Sequence, residues 1–425
     1  MELLDRVASI LEYGPICDHC LGRMFGKRSH GLGNDERGRA LRITGSIAGD
    51  VAFAPEQEVC WICNGLFAEL DLWADRVAKA LEGIEFDTLL IGCRVPPLIA
   101  ESEEMVWTDL SLTHPEPLKA EFNREVGKRV SARTGHEVDF THPDVVAIAD
   151  LAAGEVEVQV SPLFIYGRYW KYERGIPQTR WHCRVCRGEG CERCGFTGRM
   201  YADSVEELIG RPLIEIFSAD DAVLHGAGRE DIDARMLGTG RPFVIEVVAP
   251  ITRRHDLTPL EDVVNRSAGG RVAVVFDHWS DRREVETIKS EKAYKKYSIL
   301  VEIDGAFSKE EVQTALKTLE GVTIHQRTPA RVSHRRSDRV RKRRVKEIEC
   351  VGVQDCKFLI EVLGEAGLYI KELISGDDGR TTPSLSGVLG AAARVTSLDV
   401  VLVEAVVPET RPQQMKTESG EYGTS

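Results

Sequence analysis

Eight of the eleven cysteines in this 425-residue chain stand in four Cys-x-x-Cys pairs: Cys17/Cys20, Cys60/Cys63, Cys183/Cys186 and Cys191/Cys194. No other feature restricts the fold as much. A Cys-x-x-Cys turn aims two thiolates at one ion, and a structural tetrahedral site needs four such ligands. The first two pairs form one quartet across residues 17–63, long enough to organise a small domain. The last two form a second quartet within residues 183–194. Free thiols are the alternative for each quartet, and a thioredoxin-like redox role needs a βαβ context that neither setting has. Structural zinc, one or two ions per chain, is the expectation, because four thiolates leave no open position for water. Cys93, inside the apolar run Leu89–Val95, is expected to be a small core residue.

The N-terminus, Met1-Glu-Leu-Leu-Asp-Arg, lacks a basic-then-apolar signal pattern, and no run approaches the roughly 18 apolar residues of a membrane span. A monomeric cytoplasmic protein with no membrane contact is expected. The net charge of −13 by itself speaks against a nucleic-acid partner. Its distribution reverses that reading: residues 327–346 hold ten Lys/Arg against a single acid, Asp338. A basic arm on an acidic body suits one polyanionic partner. A solvated charged face is the plainer alternative, but so large an excess of one sign favours phosphate contact, and the alternating Arg/Val spacing predicts a strand with its cations on one face.

The chain length suggests two or three domains. Segment 1–67 holds the first quartet, with a helix capped by Asn34 or Asp35, and a second helix follows over 68–80. Then come a strand at Phe86–Val95 and a helix at Pro117–Arg133, whose Leu118, Phe122, Val126 and Val130 recur every four residues on one face. Strands at 145–149 and 156–165 precede a loop over 166–179 rich in aromatic and basic residues. Beyond Ser204 the pattern is strand-rich with interspersed helices, and 408–425 is a polar tail expected to be disordered.

Between Gly226 and Phe243, acids and the arginines Arg229, Arg235 and Arg241 are packed among glycines beside an apolar run. Such charges are costly to desolvate unless a site uses them. The turn Gly228-Arg-Glu-Asp231 resembles the Gly-Arg-x-Asp active-site loop of pseudouridine synthases. The likeness is greatest to the archaeal tRNA pseudouridine synthase family acting at positions 54 and 55 of the T-arm. The segment beginning Arg327-Thr-Pro-Ala-Arg331-Val-Ser-His-Arg335-Arg336, the lead Lys295-Lys-Tyr297 into a strand, and Gly367-Leu-Tyr369-Ile370-Lys371-Glu carry the rest of the resemblance.

The resemblance implies an α+β protein, with a zinc-binding THUMP-type α/β accessory domain over residues 1–165. A mixed, largely antiparallel-sheet catalytic domain follows over 166–407, with the four-cysteine insert at 183–194. It implies an isomerase acting on tRNA with no organic cofactor, since uridine and pseudouridine are isomers. Asp231 would be the catalytic carboxylate, with Asp233 its rival or else the partner of Arg235. Lys371 would pair with Asp231, and Tyr297 would stack on the base, with Tyr294 in competition. Ile370 and Leu398 would wall the uracil pocket, with Tyr369, Arg168 and Arg235 binding substrate. Arg327, Arg331, Arg335 and Arg336 would lie along the RNA, and Arg168, Lys171 and Arg174 would grip the tRNA body. Two other readings stand beside this one. Another THUMP-bearing tRNA enzyme would need a Ser-Gly-Gly-x-Asp-Ser loop or a Gly-rich cofactor turn, and neither is present. A zinc-stabilised RNA-binding module without catalysis would not need Asp231.

Overall fold

The computed structural model describes residues 3–28, 30–55, 59–113, 115–290, 293–335 and 337–404, with backbone alone at 334 and 335. Arg336, the Arg335 side chain and the polar tail therefore lie outside the described residues. The chain forms two compact units, one of Met1–Leu163, Leu213–Ala222 and Val247–His255, the other of the remainder.

In the first unit, strands β1 (Thr88–Arg94), β2 (Glu137–Val138), β3 (Val145–Asp150) and β4 (Glu155–Val160) form a sheet in the order β2-β1-β3-β4. Its first two pairings are parallel and its last antiparallel. The four-residue apolar period of the helix Leu118–Thr134 buries Leu118, Phe122, Val126 and Val130 in one core with Leu89, Ile91, Val145 and Ala147. Cys93 is buried there too. The helix Asn34–Ala48 is capped by Gly33 rather than by the expected Asn34 or Asp35, and Glu36 Oε2 accepts from the Gly33 amide at 2.8 Å. Asn34 is instead turned to Glu116 and Arg37.

The second unit is built on a ten-stranded sheet of β5 (Leu163–Lys171), β6 (Asp221–Gly226), β7 (Arg235–Val248), β8 (Val272–Ser280), β9 (Lys295–Ile303), β10 (Thr323–Arg327), β11 (Val340–Gln354), β12 (Lys357–Gly364), β13 (Thr381–Thr382) and β14 (Ala393–Val403). The order is β13-β10-β11-β12-β9-β14-β7-β5-β8, with β6 on β7. The β14/β7 pair is parallel, whereas the strands from β13 through β14 run antiparallel, as do β5 and β8. The expected α+β class, with a mixed and largely antiparallel catalytic sheet, is borne out.

Three sequence-based expectations are corrected. The strand expected at 156–165 is two strands in different sheets, split at Ser161-Pro162, where proline cannot donate to a ladder. The aromatic and basic loop expected from Tyr166 begins as β5, because Ile165, Gly167, Tyr169 and Lys171 alternate inward at period two, a period that the composition masks. The basic arm is not one strand. It runs from the end of β10 through a 3-10 turn at Ala330–Arg335 into β11, and the two strands form an antiparallel pair with Gln326 opposite Arg341. Because β11 alternates, Arg341 and Arg343 are half-buried on one face while Lys342 and Arg344 are exposed on the other, so cations occupy both faces.

Candidate active site

The turn after β6 carries Asp231 into a cavity of about 420 Å³. Gly228 sits in this turn at φ +80°, a left-handed conformation that favours glycine, and a Cβ there would displace the Lys295 ammonium. Strands β9 and β14 supply one wall: Tyr297 pairs across the ladder with Val400, and Leu398 follows on the same face. The segment Tyr369–Lys371 supplies another. Tyr369 caps the helix Ile370–Ser375, and buried Gln326 locks its backbone both ways: Gln326 Nε2 donates to Tyr369 O, and the Tyr369 amide donates to Gln326 Oε1, each at 2.8 Å. Asp231, Tyr297, Tyr369, Ile370, Lys371 and Leu398, which the sequence picks out in separate motifs, thus line one cavity.

The charges around Asp231 differ from the expectation. Its nearest cation is Arg331, with Nη1 2.9 Å from Oδ2. Lys371 Nζ is 3.7 Å away and sits instead at 2.6 Å from Asp233. Arg331 was expected along the RNA; the 3-10 turn folds it inward, where Nε also pairs with the buried Glu372 at 2.7 Å. The Asp233 carboxyl would be raised by burial, but the Lys371 hydrogen bond and charge hold it below its usual range. Burial lowers Arg331, and the pairs with Glu372 and Asp231 more than reverse this. Burial pushes the Tyr297 phenol up to about 12, so the ring presents a neutral face at neutral pH. Tyr294, its competitor, is outside the cavity lining and lies under Lys346 at 5.1 Å.

The other assigned residues are placed elsewhere. Arg235 is bidentate on Asp399 at 3.0 and 2.7 Å, so it is not the partner of Asp233. Arg168 donates to the carbonyls of Thr239 and Gly240, and Arg327 pairs with Asp338. Arg174 reaches Asp399 and the carbonyls of Asp233 and Leu398. Lys171 cannot grip an external partner. As an inward position of β5 it is fully buried, and its ammonium donates to Ile176 O at 2.8 Å and Ile232 O at 3.2 Å. The motifs give no role to Lys295, which lines the cavity and is lowered to about 7 by burial and by Arg241. They also miss Glu230 and its buried partners. An acid beside the motif aspartate was the available sign.

Each cysteine quartet gathers its four sulfurs within 4.8 Å of one another. A tetrahedron with metal–sulfur bonds of about 2.3 Å has edges of about 3.8 Å. The Cys17–Cys63 and Cys191–Cys194 separations are 3.8 Å, and Cys183–Cys191 and Cys186–Cys194 are 3.9 Å. Amides of Gly190 and Gly198 donate to Cys186 and Cys194, and Arg23 donates to Cys20, as thiolates holding an ion require. Both quartets therefore fit a metal ion.

With this geometry in place, comparison with known proteins is decisive. The family model described as Pus10, C-terminal, matches residues 164–404, and that described as Pus10 THUMP domain, archaeal, matches 73–150. The protein of Methanothrix thermoacetophila named tRNA pseudouridine synthase Pus10 is 46% identical over 431 residues, covering 95% of each chain. The chain belongs to the Pus10 family. Identically named proteins of Halorubrum lacusprofundi and Methanothermobacter marburgensis are 46% and 45% identical, covering 95% of this chain and 97% and 99% of theirs. The expected Pus10-type enzyme, with a THUMP domain ahead of its catalytic half, is borne out. No helix among the described residues is long and apolar enough to cross a membrane.

Proposed function

We propose that this Pus10 protein converts uridine to pseudouridine in the T-arm of tRNA, at position 54, 55 or both, with Asp231 as the catalytic carboxylate. The observation that carries the reading is that Asp231 lines one cavity with Tyr297, Ile370 and Leu398 and with the cations Arg331, Arg341, Arg343 and Lys371. Isomerisation breaks the N1–C1′ bond, turns the base and joins C5 to C1′, so the site must start the reaction and then retain a detached uracil. A carboxylate aimed by Arg331 and Lys371 suits the first need, and apolar contacts from Ile370 and Leu398 to the base suit the second. The target base has to leave its stack to enter the cavity, and Tyr297 offers it a ring.

Arg341 and Arg343, on the cavity face of β11, are positioned to meet phosphates of the extruded nucleotide, with Arg327 further along the RNA. Residues 1–165 would act as the accessory tRNA-binding domain and 166–407 as the catalytic domain, in a cytoplasmic monomer. The metal in each quartet would be zinc; when bound it supplies a cross-link rather than chemistry. The test is a pair of variants. Asp231→Asn should bind tRNA but form no pseudouridine, and Asp233→Asn should retain activity. The opposite pattern would move the catalytic role two residues along the chain.

A further inference from the structure

Beneath the Asp231 turn lies a buried polar cluster that no step assigned so far employs. Glu230 borders the same cavity as Asp231, but its side chain is only 1% exposed. Its carboxylate accepts from Tyr169 Oη at 2.8 and 2.9 Å and lies 2.9 Å from Arg241 Nε. Lys171 Nζ stands 4.0 Å away. Tyr169, Lys171 and Arg241 are themselves buried, and Gln178 Nε2 donates to Tyr169 Oη at 2.9 Å. Burial pushes the Tyr169 phenol well above its ordinary value, and the charge of Glu230 adds to this, so the hydroxyl stays a donor. A core of this kind is expensive, since apolar residues of similar volume would avoid the desolvation of several charges.

The remaining donors of the cluster show what it is for. Arg241 Nη1 donates to Ala227 O at 2.7 Å, Gln178 Nε2 to Gly228 O at 3.0 Å, and Lys171 Nζ to Ile232 O at 3.2 Å and Asp231 O at 3.4 Å. Lys295 Nζ adds a 3.4 Å contact to Ala227 O. The carbonyls of Ala227, Gly228, Asp231 and Ile232 are therefore held by side chains from β5, β7, β9 and by Gln178. Fixing the carbonyls fixes the peptide planes, and these set where the Asp231 Cα–Cβ bond points.

We propose that Glu230 is a positioning residue for the reaction: it gathers Arg241, Tyr169 and Lys171 under the turn, and through their hydrogen bonds to the turn carbonyls it aims Asp231 into the cavity. This rests on Asp231 being the catalytic carboxylate. The two acids side by side then have separate duties, the 32% exposed Asp231 toward the substrate and the 1% exposed Glu230 toward its buried partners.

The experiment uses full-length protein in excess over unmodified tRNA transcript, so that each turnover is single. At saturating enzyme the rate constant reports only on folded molecules. Glu230→Gln should lower that rate constant by about 10- to 100-fold, and Tyr169→Phe, which removes one hydroxyl and keeps the ring, by about tenfold, since displacing a reacting group by about 1 Å costs on that scale. The tRNA Kd should stay within about twofold. A merely structural role would lower the melting temperature and the reactive fraction while leaving the rate constant unchanged, and that result overturns the proposal. Should Glu230→Gln not fold, Tyr169→Phe decides alone. Asp231→Asn, run alongside, separates the two levels. If it is inactive while Glu230→Gln and Tyr169→Phe keep the wild-type rate constant, the positioning role fails and the reading of Asp231 stands; if it is active, that reading fails first.

Discussion

Replacing Arg331 by methionine should slow the reaction more than the same replacement of Lys371. Arg331 lies 2.9 Å from Asp231, within hydrogen-bond reach, whereas Lys371 stands at 3.7 Å and makes its short contact to Asp233. A charge-assisted hydrogen bond contributes about 1.5–3 kcal/mol. Asp231 and Arg331 are 32% and 35% exposed, so screening places this pair near the lower end, about 1.5 kcal/mol. If the bond aims the carboxylate in the transition state, its loss costs about tenfold in the single-turnover rate constant, at about 1.4 kcal/mol per tenfold. The longer Lys371 contact is worth about 0.5 kcal/mol, or roughly twofold. Arg331→Met has a second signature, because it leaves the carboxylate of Glu372, 5% exposed, without its 2.7 Å partner. That should cost about 1 kcal/mol or more, a fall of roughly 2–4 °C in melting temperature. The assay is pseudouridine formation in a saturating excess of each variant, with melting followed in parallel. A Lys371→Met rate equal to or below that of Arg331→Met refutes the assignment of Arg331 as the principal partner.

Elemental analysis should find two zinc ions per chain, falling to one in Cys60→Ser and one in Cys191→Ser; a single ion in the wild type would leave one quartet as free thiols. Arg341→Glu and Arg343→Glu should weaken tRNA binding and reduce the log–log salt slope by roughly 0.7–0.9 for each phosphate no longer neutralised, and an unchanged slope would remove these arginines from the RNA path. Burial and Arg241 bring Lys295 down to about 7 from 10.5, so between these values the unfolded chain binds a proton that the folded chain lacks. Stability therefore rises with pH across that window, and Lys295→Met should flatten the melting temperature against pH there; equal slopes in variant and wild type would contradict the depressed value.

Local pattern revealed what local pattern encodes. The helix Leu118–Thr134 was legible because its apolar residues repeat every turn, and the cysteine quartets because ligand spacing is a local property. The motif residues were legible as separate fragments, but their mutual geometry was not. Arg331 reads as part of a charged arm, since nothing in residues 327–346 reports that Asp231 and Glu372 lie across the fold from the 3-10 turn. Lys171 reads as a surface cation, because its tyrosine and tryptophan neighbours hide a strand that points it into the core. Glu230 and Asp231 are adjacent acids of very different burial, and only partners arriving from β5 and β7 distinguish them. Sequence spacing carries no such information, since these pairings depend on strand order.

The central claim is that the cavity isomerises uridine in the tRNA T-arm through Asp231. It is tested most directly by incubating full-length protein with an unmodified tRNA transcript and mapping pseudouridine by chemical probing and primer extension. A stop one nucleotide 3′ of position 54, 55 or both is expected for the wild-type protein, and none for Asp231→Asn under conditions where the variant still binds the transcript. Pseudouridine formed by Asp231→Asn, or its absence from the T-arm with a wild-type protein that binds the transcript, would contradict it.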